Sequence, residues 1–82
     1  MAQFYTDNHD HAVQMTFTQA RRALEKLALP DTLHGEIPVR FLPTIQQKLH
    51  ILLKVNQEHH FHELMTLTRA ARETEQPIFW RI

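Results

Sequence analysis

The stretch AVQMTF, residues 12–17, decides the fold, because it fits two incompatible periods. Val13 and Phe17 open a stripe continued by Ala20, Leu24 and Leu27, the 4-3-4-3 spacing of one helical face, with Asp10 placed as an N-cap. Val13, Met15 and Phe17 also alternate with Gln14 and Thr16, as in a strand with one buried face. Five stripe positions agree over fifteen residues, whereas the alternation covers six. The β-branched residues cost a helix less than about 1 kcal/mol each. The spacing therefore predicts one long helix over residues 11–29; the rival is an N-terminal hairpin of QFYT and AVQMTF.

Beyond the turn-forming LPDTLHGE, Ile37, Val39 and Phe41 alternate with Pro38 and Arg40, which predicts a short edge strand closed by Pro43. Thr44 with Gln47 has the capping-box pattern and predicts a helix start there. Ile45, Leu49, Leu52 and Leu53 supply its buried stripe. Asn56 marks a break, after which a second helix restarts near Glu58 with Phe61, Leu64, Met65, Thr68 and Ala71 facing inward; one continuous helix is the alternative. Pro77 opens PIFWRI, where Ile78, Trp80 and Ile82 share one face of a strand and Phe79 and Arg81 the other. Its expected pairing partner is IPVRFL. The predicted fold is a small α+β domain spanning residues 1–82, about three helices on a short two-stranded sheet in the order helix-strand-helix-helix-strand. The N-terminal hairpin is the variant of that fold, and residues 1–9 are expected to fray unless docked.

A chain of 82 residues suits one domain with a simple core, and no internal repeat or linker-like segment divides it. Nine Lys and Arg balance nine Asp and Glu, so there is no long-range field to draw in nucleic acid or an anionic membrane. The lack of cysteine excludes disulfides, thiol chemistry and thiolate zinc sites. The N-terminal residues lack the pattern of a signal peptide and the longest apolar run is ILL, so a cytoplasmic protein without membrane contact is expected.

EHHFHE, residues 58–63, concentrates three of the seven histidines. On a helix, His59, His62 and Glu63 share a face and are ligand types that zinc, nickel or copper accept. The remaining ligands would have to come from Asp7, His9, Asp10, His11 or His50, and nothing local makes them converge. The expectation is a solvated first helical turn, with His60 pointing away from the pair and no metal or cofactor held. Seven imidazoles would still add positive charge below neutral pH, so a metal- or pH-responsive module stands as a second alternative.

Arg21 and Arg22 adjoin Lys26, and Arg69 and Arg72 lie one turn apart on the last helix. The helix pair is similar to the opening helices of a winged helix-turn-helix domain as far as FHELMTLT. The following RAARETEQP sets Glu73 and Glu75 near where a DNA phosphate would lie and stops at Pro77. A dimeric DNA-binding regulator is therefore the first alternative and not the leading reading.

No nucleophile, base and oxyanion donor set is recognisable. The chain has no serine, and its single glycine, Gly35, cannot line a phosphate cradle. Asp31 with His34 is a common turn arrangement. A non-enzymatic protein is expected, acting by docking on a larger protein or on its own copy as an adaptor or inhibitor, a profile shared by small inhibitors of phages and mobile elements. Phe79, Arg81, Arg69 and Arg72 are its candidate partner-binding residues, with Trp80 assigned to the core.

Overall fold

The computed structural model describes residues 1–7 and 11–82. It contains strands β1 (Ala2–Thr6) and β2 (Ala12–Met15), helix α1 (Phe17–Lys26), strand β3 (His34–Ile37), a 3-10 turn (Val39–Phe41), helices α2 (Leu42–Val55) and α3 (His59–Thr74), and strand β4 (Ile78–Arg81). The α+β class holds, but the sheet has four antiparallel strands in the order β2-β1-β4-β3 where two were expected.

AVQMTF is the first correction: the long helix over residues 11–29 does not form. Ala2 pairs with Met15 and Phe4 with Val13, so β2 buries Val13 and Met15 on the core side. The helix begins only after Thr16. That hydroxyl accepts the Gln19 backbone N–H at 3.1 Å, and the Gln19 side-chain oxygen accepts the Thr16 N–H at 3.0 Å. This reciprocal box satisfies two donors that the first turn leaves unpaired. Phe17, counted in the helical stripe, is half exposed, so the stripe was real only from Ala20 onward. The hairpin alternative is the one observed. Within the segment expected to fray, Ala2–Thr6 is an internal strand paired with both β2 and β4.

The second correction concerns residues 37–41. Only Ile37 belongs to β3, and Val39–Phe41 forms a 3-10 turn closed by the Phe41 N–H on the Pro38 carbonyl at 2.9 Å. Pro38 has no N–H for the ladder, so the strand ends before it. Val39 and Phe41 are exposed. The pairing of PIFWRI with IPVRFL reduces to Ile37 opposite Ile78; most of β4 pairs instead with β1 on one side and with His34, Gly35 and Glu36 on the other.

Thr44 and Gln47 do not form the cap expected of them. α2 starts a residue earlier than Pro43, with Phe41 as N-cap and proline in the first turn, where its missing N–H costs nothing. The break at Asn56 and the restart at Glu58 are both observed: Asn56 caps α2, its side-chain oxygen accepts the Glu58 N–H at 3.2 Å, and Glu58 is the N-cap position of α3.

All three helices lie on one face of the sheet. Across that face run Val13, Phe4 and Trp80, then Thr6, Ile78 and Ile37. Ala20, Ala23 and Leu24 of α1, Leu42, Ile45 and Leu49 of α2, and Phe61, Leu64, Met65, Leu67, Thr68 and Ala71 of α3 close the core over them. Thr68 is buried there because its hydroxyl donates to the Leu64 carbonyl at 2.7 Å. Trp80 fits because its row ends at Gly35. A Cβ at Gly35 would lie 2.1 Å from the indole Cζ2, so the ring occupies the space that any side chain there would need. Among the described residues no helix is long and apolar enough to cross a membrane.

Candidate functional site

The face of the sheet turned away from the helices carries no covering layer among the described residues. The alternation that buries Ile78 and Trp80 puts Phe79 and Arg81 on this face, beside Tyr5 and Gln3 of β1 and Glu36 and His34 of β3. Phe79 is half-buried rather than free: its ring stacks on Tyr5, with centroids 5.8 Å apart and planes at 28°. Arg81, His34 and Glu36 are exposed. Together they border a shallow groove of about 500 Å³, floored by Gly35 and Trp80. Its centre is an aromatic pair on the two inner strands, rimmed by one cation, one carboxylate and an imidazole.

Arg69 and Arg72 are not part of that surface. They lie on α3, in the helical layer, beside a second groove of about 300 Å³ whose other wall is Pro43, Gln46, Gln47 and His50 of α2. The structure thus divides the four expected residues into two pairs on different layers. Of the other basic residues, Arg21 pairs with Asp31 and Arg22 with Glu58, the latter at 3.0 Å. Asp31 is therefore taken by Arg21, not by His34.

EHHFHE folds as the first turn of α3, with Phe61 fully buried. His59 sits 3.4 Å from Glu63, while His62 meets the Gln57 side chain at 3.2 Å, so the two imidazoles turn to different partners. Among the described residues there is no group of three or more His, Asp or Glu able to hold a metal ion. His9 and Asp10, proposed as additional ligands, lie outside the described residues.

His60 is the correction in this stretch. Expected to be solvated, it is 5% exposed, its ring 4.2 Å from that of Phe61. Its Nε2 faces Glu58 Oε2 at 3.3 Å, out of line for a hydrogen bond, so both buried atoms lack a hydrogen-bond partner. The other Glu58 oxygen is held by Arg22, which ties α1 to the start of α3. Burial pushes the His60 imidazole below its ordinary 6.5, opposed by the Glu58 and Glu63 carboxylates and assisted by Arg22 and His59.

The folded protein prefers neutral His60, so this contribution is complete above pH 6.5 and is lost as pH falls through the lowered folded value. His60→Gln is expected to shrink the drop in urea midpoint between pH 7 and pH 5, even though it lowers stability at pH 7. An undiminished drop would assign the acid sensitivity to other groups.

Comparison of the chain with protein-family models, with curated protein sequences and with solved structures finds no match to any of them.

Proposed function

We propose that this chain is a non-enzymatic interaction protein, an adaptor or inhibitor, that docks on a larger protein through the open face of its sheet. The observation that supports this reading is the stacked Tyr5–Phe79 pair on the two inner strands, with Arg81 beside it and no layer of the described chain above it. Aromatic and arginine side chains are the types that concentrate binding energy in protein interfaces. Strands β1 and β4 are each paired on both sides, so these side chains are presented by a backbone that needs little ordering on binding.

The test is capture from the native host with wild-type protein and with the variants Phe79→Ala and Arg81→Ala, each first shown to be folded. Phe79→Ala removes one ring of an outward-facing stack and should change stability by about 1 kcal/mol. Partner affinity should fall by about 2 kcal/mol or more, which removes the partner from the capture. If both variants recover the wild-type set of proteins in full, the sheet face is not the docking surface.

A further inference from the structure

Arg69 and Arg72 line one groove together, and among the described residues neither is matched to a carboxylate. Among the described residues, no carboxylate lies within the 4.0 Å of an ion pair from either guanidinium, whereas Arg21 and Arg22 are each matched to one. Arg72 is instead held by the side-chain oxygen of Gln46 across the groove. A neutral amide orients a guanidinium without cancelling its charge, which leaves the remaining donors of Arg72 for something else. Arg69 lies one turn earlier on the same helix and lines the same groove, together with His50 and Gln47 of α2 and Met65 of α3. In a chain whose nine basic and nine acidic residues balance overall, this groove gathers two cations and further N–H donors.

We propose that the groove between α2 and α3 is a binding site for a phosphomonoester, clasped by Arg69 and Arg72 with His50 and Gln47 as additional donors. A carboxylate is satisfied by one guanidinium in a two-bonded fork; a phosphomonoester carries close to two charges and three terminal oxygens, which two guanidiniums and further donors match. A nucleic-acid strand matches less well. It offers one charge per phosphate along an extended path, rather than two charges and three oxygens at one point. This site is on the helical layer and does not depend on the docking role of the sheet face.

The experiment is a solution NMR titration of the full chain at pH 7 with inorganic phosphate, with sodium chloride at matched ionic strength as the reference. Saturable movement of the Arg69 and Arg72 Nε–H and His50 signals is expected with phosphate and not with chloride. Arg69→Gln combined with Arg72→Gln should weaken binding by about tenfold or more, while Lys26→Gln combined with Arg40→Gln, an equal change in charge elsewhere, should leave it intact. Far-UV circular dichroism confirms that both pairs are folded. A phosphoserine peptide and a nucleoside 5′-monophosphate then distinguish the sources of the group, the tighter one naming its carrier. The proposal is overturned if chloride reproduces the shifts, if both double variants lose affinity equally, or if an oligonucleotide without a terminal phosphate displaces the phosphomonoester.

Discussion

Trp80→Ala is expected to lose about 3 to 5 kcal/mol, enough to unfold most of the protein in buffer. The indole is 2% exposed and lies at the centre of the sheet's inner face, with Phe4 on one side at a centroid distance of 6.3 Å and Gly35 on the other. Truncation removes those contacts and leaves a cavity that neighbouring strands cannot close, because both are fixed in register with β4. It also strands the Thr32 carbonyl, which now accepts the indole N–H at 3.1 Å. Urea denaturation followed by circular dichroism measures the effect. A variant that keeps the wild-type midpoint would show that the ring is not part of the core. Trp80→Phe, which keeps an aromatic body, is expected to lose less and to fold.

Gly35→Ala is expected to cost about 1 to 3 kcal/mol, although it adds one methyl group to a residue that is not fully buried. The reason is contact, not backbone conformation. The added Cβ would stand 2.1 to 2.6 Å from three atoms of the indole, well inside van der Waals separation, and the ring is wedged against Phe4. Either the tryptophan leaves its rotamer or β3 peels from β4. Because the clash needs both partners, the cost should fall sharply in the Trp80→Ala background, measured with a stabilising osmolyte to keep that variant folded. Equal costs in the two backgrounds would mean that the glycine acts through something other than the ring, since independent sites add and touching ones do not.

The candidate surfaces were only partly legible in the residues. The alternation in PIFWRI sends Phe79 and Arg81 away from Ile78 and Trp80, and the structure agrees. Nothing in that hexapeptide reveals that Phe79 would lie on Tyr5, because the two meet only when β1 inserts beside β4. The spacing of Arg69 and Arg72 is a local property of a helix, but the groove they line and the Gln46 that holds Arg72 belong to a different helix. His60 was misread for the same reason: helical spacing set it apart from His59 and His62, and only packing against Phe61 and beside Glu58 shows that the side away from them is the inside.

By itself the sequence determined the α+β class, the run of α3 with its buried Phe61, Leu64, Met65, Thr68 and Ala71, and the inward face of β4, and it favoured the break at Asn56 over one continuous helix. Each of these is written in a periodicity of 3.6 or 2 or in a local cap, and such signals need no knowledge of the partner element. Only the tertiary structure decided that residues 12–15 are a strand. There the helical and extended periods were both satisfied, propensity differences were below about 1 kcal/mol per residue, and the backbone bonds to β1 settled the choice. The same holds for the two Thr-x-x-Gln patterns, of which Thr16–Gln19 caps a helix while Thr44–Gln47 falls inside one. It holds too for β3, which stops at Ile37 because Pro38 cannot pair and because Gly35, not Val39, is what the indole of Trp80 leaves room for. For residues 12–15 and for Gly35 the deciding contact comes from another strand, so the energy that selects one reading there appears only when the sheet closes.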